Sequence, residues 1–319
     1  MSTATATPTR SPASPPKKVT QARVLLSEWT KIRSLRSTIF SLLAAIVFIV
    51  GLAMLVPMVT VSHWPPRDPR EALGFDPTTR TLSGIFLAQL AIGVLGVLLI
   101  TGEYATGMIR ATFAAVPARL PVLWAKAAVF AAVTLVLMVP TVFGAFLIGQ
   151  SILASKHLQT NLSSPGVLRA VIGAALFLTV VGLLGIGLGA LLRKGGFYLG
   201  TLGCWPAGDF GVRATPGHSI SWSPASRSTK METPSLRNTA GGISTLFGLL
   251  FVLPIIVRFL PSSWSDPINK YLPSNAGEAI THVHPDPTLL APWTGFGLFF
   301  GYAAVILIAA AISLRMRDA

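Results

Sequence analysis

"TGEYATGMIRATFAAVPAR", residues 101–119, carries one carboxylate and two arginines between two long apolar runs, residues 82–100 and 122–149. Apart from Lys126 near its start, that pair of runs holds no ionisable residue. Each is long enough, as helix, to cross about 30 Å of hydrocarbon. A polar patch wedged between two such runs reads as the turn of a membrane hairpin. Working outward, four more apolar runs appear at residues 39–61, 170–192, 242–260 and 289–314. The sequence therefore predicts an all-α polytopic membrane protein with six transmembrane helices spread over residues 39–314.

The whole composition agrees. Of 319 residues, 52% are hydrophobic and 11% are charged, with a mean hydropathy of +0.66, whereas soluble domains carry about a quarter charged residues. One cysteine, Cys204, leaves no intramolecular disulfide and no cysteine cluster for a metal. A net charge of +14 raises the possibility of nucleic-acid binding, but the placement of the charges argues against it. With the N-terminus set inside, 18 of the 25 lysines and arginines fall on that side and seven on the other, while the acids divide five to six. That asymmetry is the positive-inside pattern, and it predicts both termini in the cytoplasm of a multi-pass protein of the cell membrane. The first apolar run is too long for a signal peptide and lacks a small-residue cleavage pattern.

Residues 1–18, rich in Thr, Ser, Ala and Pro, read as a disordered basic tail. Residues 19–38 include "QARVLLSEWTKIRSLRST", in which Leu25, Trp29, Ile32 and Leu35 approach one helical face while Glu28 and Arg36 blur the stripe. With Trp29, Lys31 and Arg33 this segment predicts an amphipathic helix lying in the membrane interface; a solvated extension of the first span is the plainer alternative. Span four contains Gly182, Gly185, Gly187 and Gly189, which permit close helix packing within one subunit or between two. Residues 194–237 form a long Gly-, Pro- and Ser-rich stretch without periodicity, an atypical inserted loop. Deleting it would join "ALLR" to "NTAGG" as a tight turn.

Catalytic constellations are missing from the sequence pattern. No G-x-x-x-x-G-K-[ST] loop occurs, so the usual phosphate cradle for ATP hydrolysis is not encoded. His282 and His284 stand two apart without a third ligand, which predicts no metal site. A nucleophile triad would need a histidine on the inner side, where only His218 lies, inside the atypical loop. In residues 101–119, helical spacing sets Met108, Ile109, Thr112, Phe113 and Val116 on one face and Arg110 on the other, with Pro117 ending the helix. Glu103 is expected to favour a helix N-terminus and to pair with Arg110 or Arg119.

These stretches together resemble the ABC-2 type transporter permeases, particularly those of actinobacterial type. The resemblance rests on "SEWTKIRSLRST" before span one, "TGEYATGMIRATFAAVPARLPVLWAK" after span two, "LRNTAGG" entering span five and "YLPSNAGEAI" before span six. It implies the membrane-spanning subunit of an exporter that pairs with a second permease copy and with ABC ATP-binding subunits, which hold the ATP and magnesium. It implies no cofactor in this chain, no enzyme activity of its own and no nucleic-acid partner. By the same resemblance Glu103, Tyr104, Gly107, Ile109, Arg110, Pro117 and Arg119 form the segment that couples to the ATPase. Trp29, Lys31 and Arg33 belong to the inner interfacial helix, and Trp264, Tyr271 and Asn275 to an outer gate region. A non-transporting membrane anchor or assembly factor for a cytoplasmic protein, or a secondary carrier, are the alternatives.

Overall fold

A computed structural model describes residues 21–66, 68, 74–105, 119–192, 235–284 and 288–316. Among them there is no strand, and six helical segments are long and apolar enough to cross a membrane. The chain begins with α1 (Gln21–Ser34), which leads almost directly into the first span, α2 (Arg36–Ser62). A short α3 (Pro77–Thr81) follows, capped by Asp76, whose side chain accepts from the Thr78 N–H. The second to fourth spans are α4 (Ile85–Ala105), α5 (Arg119–Leu153) and α6 (Val167–Leu192). The fifth is composite: α7 (Ser235–Phe247), a π-helical turn at Gly248–Val252, and α8 (Leu253–Arg258), which Pro254 opens. Two short helices, α9 (Ser262–Tyr271) and α10 (Pro273–Glu278), precede the sixth span, α11 (Pro292–Arg315).

α6 is the axis of the bundle. It is apolar on every side, and 83% of its most hydropathic window is buried inside the protein, against 22% for α2. A helix without a polar face has to be enclosed, and α4, α5, α7 and α11 enclose it. Close approach to α4 depends on glycine. A Cβ added at Gly185 would stand 2.5 Å from the Gly93 carbonyl oxygen, and one at Gly96 would stand 2.2 Å from that of Gly182. Gly187 lies against Ile306 of α11. The glycines of span four therefore serve packing within this subunit, which was one of the two options left open by their spacing.

The segment before span six folds into the bundle. Gly277 sits where a Cβ would meet the rings of Phe177 and Phe299, Ile280 packs against Gly173, and Ala276 lies against Gly295. This segment, which carries the residues expected at an outer gate, forms α9 and α10, with α10 pressed between α6 and α11. The atypical loop of residues 194–237 lies outside the described residues except at its end, where α7 starts at Ser235. Residues 1–18 also lie outside them.

Replacing Gly185 by leucine drives a side chain into backbone and should cost at least about 1–3 kcal/mol. Size-exclusion profiles in detergent should show loss of the monodisperse peak for Gly185→Leu. Gly51→Leu, at a position with nothing within 4 Å, should leave the profile unchanged.

Candidate functional site

At the end of the bundle that bears α1, four charged side chains from three helices meet. Lys126 Nζ on α5 donates to Glu28 Oε2 on α1 at 2.5 Å and to Glu103 Oε1 on α4 at 2.9 Å. Lys31 Nζ donates to Glu28 Oε1 at 2.6 Å and to Glu103 Oε1 at 3.1 Å. Two carboxylates and two ammoniums alternate, so each charge faces its opposites. Glu28 is 0% exposed, Glu103 5% and Lys126 2%; only Lys31 reaches solvent.

Local sequence explains how the charges arrive there. Val24, Glu28 and Ile32 recur every four residues and form the buried face of α1. Val24 packs on Val122 and Ala125 of α5, while Ile32 joins the main core. The Glu28–Lys126 pair is thus enclosed by apolar contacts on both sides. Burial acts on Lys31 too: desolvation is the largest influence and would lower its pKa, but the hydrogen bonds and charges of Glu28 and Glu103 together raise it above 10.5.

Two expectations change here. The apolar stripe of α1 was expected through Leu25, Trp29, Ile32 and Leu35, with Glu28 spoiling it. Instead Glu28 lies in the centre of the buried face, and Leu25 and Trp29 are exposed. Trp29 and Arg33 stand off the ionic cluster, and Lys31 is in it. Glu103 was expected at a helix N-terminus, yet it occupies the last turn of α4, where the helix dipole disfavours a carboxylate. The two lysines supply the compensation. Gly107, Ile109, Arg110 and Pro117 lie outside the described residues, as do the side chains of Tyr104 and Arg119.

Beside the cluster lies a cavity of about 220 Å³, bounded by Lys31 and Glu103 on one wall and by Thr38, Leu95 and Leu99 on the other. The Thr38 hydroxyl is buried there without a hydrogen-bond partner. At the opposite end of the bundle, the residues expected at an outer gate occupy α9 and α10. Asn275 Nδ2 donates to the Asn269 carbonyl at 2.9 Å and to its side-chain oxygen at 2.6 Å, and Tyr302 donates its hydroxyl proton to the Tyr271 carbonyl at 2.9 Å. Trp264 is 66% exposed. Among the described residues no group of three or more His, Cys, Asp or Glu could hold a metal ion.

No family model, curated protein or solved structure matches the chain.

Removing one member of a buried ionic cluster strands its partners, at a cost of about 3–5 kcal/mol. Lys126→Met leaves two carboxylates facing one ammonium and should lower the unfolding midpoint strongly. Adding Glu28→Gln restores charge balance, so the double variant should melt above the sum of the two single losses. Simple additivity in scanning fluorimetry would show that the residues do not act as a unit. Lys31 adds a pH signature. Its pKa is raised on folding, so its contribution is complete below pH 10.5 and lost as pH climbs through the raised value. The midpoint should fall in that alkaline range for the parent protein and less steeply for Lys31→Met.

Proposed function

We propose that the chain is the permease subunit of an ABC-2 type exporter, with both termini in the cytoplasm, moving a substrate across the cell membrane on ATP hydrolysed by a separate subunit. The observation that carries this reading is the Glu28–Lys31–Glu103–Lys126 cluster. It clamps α1 to the end of span two and the start of span three, the two helices that flank residues 106–118. A force applied to that turn by a bound partner would reach both spans and α1 together instead of bending one loop. An energy-coupling segment needs such a stiff mounting.

Further support comes from the distribution of polarity. Ionisable groups of the described spans sit at their ends, as Glu103, Lys126, Lys156, Arg169 and Arg258 do. Proton- or ion-coupled carriers place such groups near the midplane. A bundle lacking them takes its energy from outside the bilayer, and no phosphate-cradling loop is encoded here, so a partner ATPase has to provide it. A second permease copy would complete the translocation path, and ATP with magnesium would belong to the partner. The basic inner face that the positive-inside pattern implies also suits this reading.

The test is affinity purification of the tagged chain from its native membrane, with identification of bound proteins and assay of ATP turnover. A nucleotide-binding ATPase should co-purify. Glu103→Gln should keep the chain in the membrane while lowering complex-dependent ATP turnover by about fivefold or more, the scale of a coupling free energy. Recovery of the folded chain with no ATPase would overturn the reading.

A further inference from the structure

At the end of the bundle away from α1, a cavity of about 170 Å³ lies between the α3–α4 corner and the turn after α10. Its walls are Leu82, Ser83, Ile85 and Phe86 on one side and Glu278, Thr281 and His282 on the other. Two features make it unlike a packing defect. Glu278 presents a carboxyl that, among the described residues, has no lysine or arginine within ion-pair distance. Beside it, Gln89 is 1% exposed and neither atom of its amide has a hydrogen-bond partner; the Ser83 hydroxyl is likewise buried and unpartnered. Buried polar groups are normally satisfied, so the unpartnered Ser83 hydroxyl in the cavity wall, with the Gln89 amide next to Glu278, implies a missing polar occupant.

We propose that this cavity is a binding site for a primary ammonium group. The carboxylate supplies the opposite charge, and the Ser83 hydroxyl and Gln89 amide oxygen can accept the remaining N–H donors. Leu82, Ile85 and Phe86 give the attached carbon atoms an apolar wall, and the Phe86 ring can face a cation. A bare metal cation fits the walls poorly. Calcium and magnesium are held by several oxygen ligands, carboxylates prominent among them; a single carboxylate, that of Glu278, lines this cavity, beside the apolar Leu82, Ile85 and Phe86. The volume matches a small alkylammonium, a water occupying about 30 Å³ in the liquid. Phe86 is largely exposed on the bundle's flank, so the ammonium can arrive either on a free amine or on an aminophospholipid headgroup.

Protons compete for the same carboxylate. Burial raises the Glu278 pKa to about 7, against the opposing influence of the Gln89 amide and the positive charge of Arg258. The other charged groups near this end are His282, which lines the cavity, and Arg169 of α6, whose Nη2 donates to the His282 carbonyl at 2.7 Å. On α9, Asp266 and Lys270 stand behind Arg258 in the chain. The site is independent of how the protein is energised.

The experiment measures radiolabelled ethylammonium binding to the full chain in phosphatidylcholine nanodiscs. Saturable binding is expected at about pH 8, weakening about tenfold by about pH 6, as one proton with a pKa of about 7 requires. His282→Asn should keep that weakening, while Glu278→Gln should abolish binding and retain the parent's size-exclusion profile. Ser83→Val, which fills the cavity from the opposite wall with Glu278 intact, should also block binding and covers the case in which Glu278→Gln does not fold. Nanodiscs containing phosphatidylethanolamine separate the sources: reduced ethylammonium affinity identifies the headgroup as occupant, and unchanged affinity identifies a free amine. No saturable binding to the parent, equal displacement by sodium or calcium at matched concentration, or full binding in the Ser83→Val variant would overturn the proposal.

Discussion

Everything at the α1 end of this protein depends on bringing two carboxylates and two ammoniums out of water together. Each charge alone would carry a desolvation penalty of several kcal/mol, which attraction repays only when geometry is good and the remaining valences are filled. Glu28 and Glu103 achieve this by sharing both lysines, with Nζ to oxygen distances from 2.5 to 3.1 Å. Displacing one member weakens its pairing with the others while the desolvation penalty remains. The penalty for displacement makes α1, α4 and α5 a single mechanical piece, although their contributing residues lie up to 98 positions apart.

The middle of the bundle is held by a different force. Lipid offers apolar side chains nearly what another helix offers, so association rests on close packing and van der Waals contact. Gly93, Gly96, Gly182 and Gly185 let α4 and α6 approach until carbonyl oxygens occupy the space of missing Cβ atoms. Because α4 also carries Glu103 at one end and Gln89 at the other, this glycine seam places the ionic cluster and the ammonium cavity on one stiff rod. A displacement of α4 along α6 would be felt at both.

Much of this architecture was legible in the sequence because membrane spans are signalled by length and composition. The six apolar runs coincide with α2, α4, α5, α6, the composite fifth span and α11. Glycine spacing in span four was visible as well, but spacing does not name the partner helix; only the fold sets Gly185 on Gly93. The ionic cluster was half legible. Glu103 and Lys31 stood out, yet Lys126 read as a span end and Glu28 as a blemish in an amphipathic stripe. A one-dimensional helical wheel counts any charge as the solvent side, and it cannot show that a charge elsewhere in the chain will meet it. The signal was available in the i, i+4, i+8 recurrence of Val24, Glu28 and Ile32, which takes in Glu28 once a buried partner is allowed. Glu278 gave no such signal, because its isolation follows from the inward fold of α10 and not from any neighbour in sequence.

The two ends of the molecule treat the same problem in opposite ways. At one end every buried carboxylate is met by ammonium from the chain itself, and the outcome is rigidity. At the other, Glu278 follows Gly277, which packs against Phe177 and Phe299; it lines the cavity and is left without an ion-pair partner among the described residues. Burial without pairing holds a carboxyl partly neutral near pH 7 and makes its charged form costly. A fold under no other demand relieves that cost with an arginine or by exposure. Arg258 is close enough to influence the carboxyl and stops short of an ion pair, so the cost is kept. Retained strain of that kind is what a ligand of opposite charge can release, and the release is greatest for a ligand that also satisfies Gln89 and Ser83.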